Sequence, residues 1–308
     1  MQNLFLYIAS VFLWGTTWYA IKFQLGDVHP TLSIAYRFLI AAALLYIFCV
    51  ITGRHKLKFS FKQHGLIAAQ GFFLFCFNYW MTYQSTSYLT SGLVALCFST
   101  MTIMNIFGQF LFFRIPFDKK VVIGAFLGLI GMVFVFYPEI DKLSLDDSSM
   151  LGVTLCLGGT LSASIGNMLS FRNTRHSMPV ILTSTYAMAY GALFTFILAL
   201  SIQAPLSFEI ETGYIVSLLY LAIFGSALAF TFYLTLMAKI GADKAGYVAV
   251  LVPVVALLIS TIFENYHWNI WSVSGSVLIL AGNAIAMINA NPFRDLKRPK
   301  GWNIWNKN

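Results

Sequence analysis

The sequence predicts an all-α integral membrane protein with ten transmembrane helices, laid out as two inverted five-helix repeats. Three observations lead there. The chain is 59% hydrophobic and only 10% charged, against roughly 25% charged residues in a soluble globular domain. Its charges alternate in sign from one connection to the next. Its two halves can also be overlaid at a nearly constant offset.

Apolar residues fall in runs of spanning length, for example 4–21, 32–52, 121–137 and 248–263, and mean hydropathy is +0.77. A helix needs about 20 mostly apolar residues to cross the hydrocarbon layer. The predicted spans are about 4–22, 31–52, 64–87, 91–113, 119–137, 149–171, 178–202, 213–238, 243–263 and 269–290. A soluble reading would have to bury all of them at once. The first run follows no basic n-region or cleavage pattern and contains Trp14, Trp18 and Tyr19, so it reads as a retained span. Cys49, Cys76, Cys97 and Cys156 all lie inside apolar runs, which does not indicate a disulfide framework.

The connections test the count. Basic residues gather after every second span: Arg54, Lys56, Lys58 and Lys62; Arg114, Lys119 and Lys120; Arg172 and Arg175; Lys239 and Lys244; then Arg294, Lys297, Arg298, Lys300 and Lys307 in the tail. Only Lys22, Arg37 and Lys142 of the 19 lysines and arginines fall elsewhere. Asp27, Glu139, Asp141, Asp146, Asp147, Glu209, Glu211 and Glu264 take the opposite side. One miscounted span would destroy this alternation. The positive-inside rule then puts both termini in the cytoplasm. The net charge of +8 is thereby explained as topology, with attraction to anionic lipid secondary, and no nucleic-acid partner is expected. Trp302 and Trp305 beside the basic tail read as interfacial anchors.

Internal similarity supplies the repeat. Residues 30–37 overlie 179–186 at an offset of 149, and 91–95 overlie 245–249 at 154. Gly124 and Gly131 overlie Gly275 and Gly282 at 151. A unit of five spans is odd, so its second copy enters the membrane upside down, the architecture of many secondary transporters. The predicted organisation is a first repeat over 1–140, a second over 149–290 and a basic cytoplasmic tail over 291–308.

Trp14-Gly15 in span 1, Pro30 ahead of Arg37, Ser91-Gly92 at the entry to span 4, Pro253 in span 9, and Glu264 eleven residues before Gly275 together resemble the drug/metabolite transporter superfamily, specifically its EamA family. The resemblance covers nearly the whole chain and implies export or exchange of amino acids, related metabolites or drugs. The first repeat departs from the pattern. Ser99 stands where Pro253 stands in the second, and Arg114 stands near the position of Glu264.

Polar groups kept within spans face a cavity or bond another helix. Arg37 lies about five residues into span 2, roughly 8 Å deep at 1.5 Å per residue. It reads either as counter-charge for a carboxylate-bearing substrate, or a gate partner, or as a snorkelling residue that stabilises the fold. Phe98, Thr102, Asn105 and Gln109 share one face of span 4. Span 3 offers Asn78, Thr82 and Ser85, with Tyr79, Tyr83 and Thr86 one step round. Span 1 offers Tyr7, Trp14 and Trp18, span 6 Ser164 and Asn167, and span 8 Tyr220, Thr231 and Tyr233. Singly these read as interhelical bonds. As a set they suit a shared cavity for an amphipathic or zwitterionic solute. Pro253 breaks a backbone bond in span 9 and reads as a hinge or a packing kink. Gly124, Gly128 and Gly131 read as a close-packing seam, within the chain or at a dimer interface.

Other chemistry is not indicated. No Asp or Glu sits in the middle third of a span, so proton coupling would need Asp118 or Glu264, and uniport or exchange fits more easily. His29, His55, His64, His176 and His267 lie in loops or at span ends without metal-ligand pairing, and no phosphate-binding loop appears. The expectation is therefore a non-enzyme without cofactor or metal, in the bacterial inner membrane. Its partners would be a small-molecule substrate and lipid, and it would be a monomer or homodimer. An amino acid or relative moved by alternating access is the leading substrate. A drug or organic cation, or a nucleotide-type metabolite, is the alternative within the fold. An intramembrane enzyme would need a catalytic cluster at depth, which the sequence lacks. A receptor or assembly factor would lack a central polar cavity.

Overall fold

The computed structural model describes residues 2–24, 26, 28–53, 58–140, 147–263 and 266–287, the side chains of Trp18, Ser91 and Glu139 excepted. The expectations for Asp27, Arg54, Lys56, Asp141, Lys142, Asp146, Glu264 and the basic tail with Trp302 and Trp305 lie outside these residues.

Helices occupy every predicted segment. They are α1 (Gln2–Ile21), α2 (Pro30–Ile51), α3 (Phe61–Gly71, a π turn Phe72–Phe77, then Asn78–Ser85) and α4 (Ser91–Ser99 and Met101–Phe113). There follow α5 (Lys119–Val135), α6 (Asp147–Arg175), α7 (Val180–Ser201) and α8 (Thr212–Ala222, a π turn Ile223–Leu228, then Ala229–Ile240). Last come α9 (Ala242–Ala245 and Tyr247–Phe263) and α10 (Ile270–Met287). Among the described residues, eight helices are long and apolar enough to cross a membrane. The two that fall short are α3, whose outer stretches are rich in polar residues, and α5, with 17 residues. The chain is an integral membrane protein.

Local chemistry sets the helix ends. His29 caps α2, its ring accepting from Thr31 N, with Pro30 at the first helical position, where its missing N–H costs nothing. Ser60 and Gln63 exchange reciprocal bonds as a capping box at α3. Thr90 and Asp118 cap α4 and α5. Arg172 and Arg175, expected in a connection, lie in the last turn of α6, where positive charge opposes the helix dipole.

Packing follows small residues. Among the most extensive contacts are those that join α5 to α10 and α2 to α7. The predicted glycine seam is intramolecular. A Cβ at Gly131 would stand 2.7 Å from Gly275 O, and one at Gly275 would stand 2.5 Å from Gly131 O. The backbones can approach this closely only without side chains. Beyond these pairs, α1 packs on α8 and α9 while α6 packs on α3 and α4; α8 also meets α2, and α3 meets α7.

Candidate functional site

The site begins at the π turn of α8. A π turn loosens the helical ladder and recurs at functional positions. Here the carbonyl of Gly225 accepts two side-chain bonds, from Trp14 Nε1 of α1 at 3.2 Å and from Arg37 Nη2 of α2 at 3.1 Å. Arg37 Nε donates to Ser226 Oγ of the same turn at 2.7 Å. Gly225 must be glycine, because a Cβ there would lie 2.6 Å from Thr17 Cγ2 and 3.1 Å from Arg37 Nη2.

Arg37 is 5% exposed, which overturns the snorkelling reading. The side chain crosses to α8 instead of reaching an interface. Burying a cation costs several kcal/mol unless partners compensate, and its partners here are neutral: a hydroxyl, a carbonyl and the ring of Tyr79, 5.5 Å from the guanidinium carbon. Of the five N–H donors of a guanidinium, those on Nη1 have no protein acceptor among the described residues.

Aromatic rings enclose this cation. Tyr79 meets Phe38 edge-on at 5.0 Å, and Phe38 and Phe230 both pack on Phe75 at 4.9 Å. Trp14 lies 5.0 Å from both Phe230 and Tyr233. Trp14, Tyr79, Tyr83 and Phe98 pack against the main core and are half-buried.

Trp14 and Tyr233 lead to a second cluster. Asn167 of α6 donates from Nδ2 to Tyr233 OH at 3.1 Å and to Asn105 Oδ1 at 3.5 Å. Ser164 donates to the same Asn105 oxygen at 2.9 Å. Asn105 Nδ2 reaches Ala242 O at 3.4 Å, and Thr102 Oγ1 reaches Gly246 O at 3.1 Å. Asn167 Oδ1 is buried without a partner.

Most of the predicted residues therefore meet: Trp14, Arg37 and Tyr79 at the π turn, with Tyr83 one turn on, and Thr102, Asn105, Asn167 and Tyr233 in the amide cluster. Others do not. Asn78 is spent locally, donating to Leu74 O at 3.2 Å and accepting from Thr82 at 3.4 Å, on the face of α3 that packs on Gly159. The side chain of Trp18 is outside the described residues. Pro253 is buried, but helix runs through it, and the discontinuity of α9 falls at Gly246, opposite the break of α4 at Thr100. Among the described residues no three His, Cys, Asp or Glu side chains are grouped to hold a metal.

The cluster brings together a buried cation at Arg37, aromatic rings, and amide and hydroxyl groups. The model of the EamA-like transporter family matches residues 1–137 and 150–288. The chain belongs to the EamA-like transporter family. An uncharacterised transporter of Bacillus subtilis (strain 168), YoaV, is 27% identical over 282 residues, covering 89% of this chain and 93% of its own. A probable amino-acid metabolite efflux pump of Salmonella typhimurium is 25% identical over 288 residues, covering 90% and 92%. A solved crystal structure matches with a TM-score of 0.79 at 17% identity, covering 94% of this chain and 97% of the other, and so shares the fold.

Sequence reasoning passed over three residues of this EamA-family protein. Gly225 and Ser226 looked like ordinary small residues inside span 8; their one distinguishing signal was a Gly-Ser pair in mid-span. Asp243 was absorbed into the start of span 9 beside Lys244.

Proposed function

We propose that this chain is a secondary transporter that moves a small amphipathic metabolite, an amino acid or related compound, across the bacterial inner membrane by alternating access. Arg37 carries the reading. It is a buried cation held by neutral groups, with donors to spare, among rings that keep accessible surface. A carboxylate there would complete the charge pairing, and Trp14, Tyr79 and Tyr83 would cover the organic body. Trp14, Arg37, Tyr79, Thr102 and Asn105 come from one family-matched stretch, and Asn167, Gly225, Ser226 and Tyr233 come from the other. Relative motion of the two halves would thus open and close the site.

The ten-span, inverted-repeat arrangement is part of the proposal. The π turns stand at the same offset of 151 that relates Gly124 to Gly275. The helix pairings also exchange when the halves are swapped. The pair α1 with α9 becomes α6 with α4, α1 with α8 becomes α6 with α3, and α2 with α8 becomes α7 with α3. Cytoplasmic termini follow from the loop charges. The scheme needs one kind of carrier chain, as a monomer or a homodimer, with lipid around it and no nucleic acid.

The test is thermal stabilisation of the purified protein by a panel of amino acids, amines and nucleotides, since a ligand stabilises the state it binds. The expected result is a selective shift with a carboxylate-bearing amino acid with an apolar or aromatic side chain, lost in Arg37→Gln and reduced in Asn105→Ala. A shift confined to amines would overturn the role of Arg37. No shift with any amino acid would remove that substrate class.

A further inference from the structure

Thr102, Asn105 and Gln109 form one face of α4, and the first two are rungs onto α9 through Gly246 O and Ala242 O. The third rung is unbonded. Gln109 is 2% exposed, and both its amide nitrogen and its oxygen are buried without a hydrogen-bond partner. Such groups in native structures call for an explanation, an absent ion, proton or water among them.

Gln109 lines a small pocket with Asp118 and Asp243, closed by Ile106, Ile115, Pro116, Phe117 and Val121. Gly241, at φ +99°, turns the chain between α8 and α9, and a Cβ there would lie 2.4 Å from Asp243 Oδ1 and 3.2 Å from Gln109 Oε1. Two acceptor oxygens therefore turn towards one small volume. Asp118 caps α5 through Oδ1, which accepts from Lys120 N at 3.0 Å, and is itself exposed, so the pocket connects to water. Turning the Gln109 amide over would give Asp243 a donor but leave Oε1 still lacking one. A protonated carboxyl supplies that donor. A metal cation fits less well, because hard cations take about six oxygen ligands or more, and these walls offer three polar side chains among five apolar ones.

We infer that Asp243 is a proton-binding site of the carrier, completed by Gln109 and Asp118, and that its charge state reaches the central cluster through Asn105. The relay is continuous. Ala242, next to Asp243, holds Asn105 Nδ2. Asn105 Oδ1 takes Ser164 and Asn167, Asn167 donates to Tyr233, and Tyr233 packs on Trp14. One proton passes from water to the Asp243 carboxylate, neutralising it, and returns to water; only an O–H bond forms and breaks. The charged and titratable groups facing the carboxylate are Asp118, Lys244 on the same short stretch and Tyr247 a turn further on. Those on the other packed helices are turned elsewhere: Lys239 to Gln2, Arg172 to Asn173, Arg175 onto Phe171 and Tyr7 to Asn283, while Lys119 and Lys120 at the start of α5 are exposed. Arg114 is exposed. As a coupling site this rests on the transport reading, whereas proton binding itself does not.

The experiment is infrared difference spectroscopy of the full chain in neutral-lipid nanodiscs, stepped between mildly acidic and mildly alkaline buffer. A protonated-carboxyl band is expected that disappears in Asp243→Asn, shifts in frequency in Gln109→Leu and persists in Asp118→Asn. A band unchanged in Asp243→Asn overturns the proposal. So does a band that responds to exchange of sodium for choline, which would assign the pocket to a metal ion. If Asp243→Asn does not fold, the Gln109→Leu frequency decides: unshifted, the site is lost. No substrate enters the measurement, so its failure leaves the transport reading standing, and an empty ligand panel leaves the proton site standing.

Discussion

Arg37 and Gly225 define each other. The guanidinium can lie over the π turn only because residue 225 carries no side chain, and the turn's carbonyl is served only because Arg37 and Trp14 reach it. Gly225→Ala places a methyl group inside contact distance of both Thr17 and Arg37. Overpacking of this kind costs roughly 1–3 kcal/mol. The expected outcome is a lowered melting temperature in detergent together with loss of whatever ligand shift the wild type gives. A Gly225→Ala protein with unchanged stability and ligand response would mean that the turn is looser than described. At this scale the sequence was half legible. Arg37, Trp14 and the amides announced themselves as polar or aromatic groups in apolar runs. Gly225, Ser226 and Asp243 did not, because their importance lies in a backbone carbonyl, a missing side chain and a neighbour on another helix.

Each helix is placed by how its small residues let another approach. The α5–α10 contact is built on Gly124, Gly131, Gly275 and Gly282, whose absent side chains leave backbone against backbone. Gly131→Leu is expected to destabilise the protein by at least the roughly 1–3 kcal/mol of core overpacking, read as a fall in melting temperature. Arg37 and the central ring contacts lie on other helices, so ligand response measured well below the melting point should persist. Sequence gave the seam its position and spacing, while its partner could have been another copy of the chain. The discontinuities are a second element-scale lesson. Pro253 marks α9 for a hinge or a packing kink; helix is continuous through it, and α9 is interrupted instead at Gly246, as α4 is at Thr100. Inside a helix a proline removes one backbone bond and crowds the carbonyl four residues back, and neither effect need part the chain. Where the chain parts depends on which carbonyls find a partner elsewhere, as Gly246 O does with Thr102.

Over the whole molecule, the charge pattern and the packing pattern make the same claim by independent routes. In the proposed arrangement, alternating loops would set which ends of the helices face the cytoplasm, and the exchangeable helix pairs would relate one half to the other. A reporter inserted between Arg114 and Lys119 is expected to read as cytoplasmic, and one between Gln203 and Thr212 as external. Both reading on one side would remove the inverted arrangement, because an odd number of spans separates the two positions in the scheme.

What the sequence determined alone is the membrane class, the helical segments and the family, since hydropathy, loop charge and repeat offsets are properties of order along the chain. Span length is governed by the thickness of a hydrocarbon layer and loop charge by insertion, and neither needs a tertiary partner. Only the tertiary structure decided that Arg37 is buried on a π turn instead of snorkelling, that Asn78 is spent locally, and that Gln109 and Asp243 share a pocket. Each depends on the distance between side chains far apart in sequence, and a polar residue in an apolar run is the same signal whether it bonds its own helix, another helix or a solute.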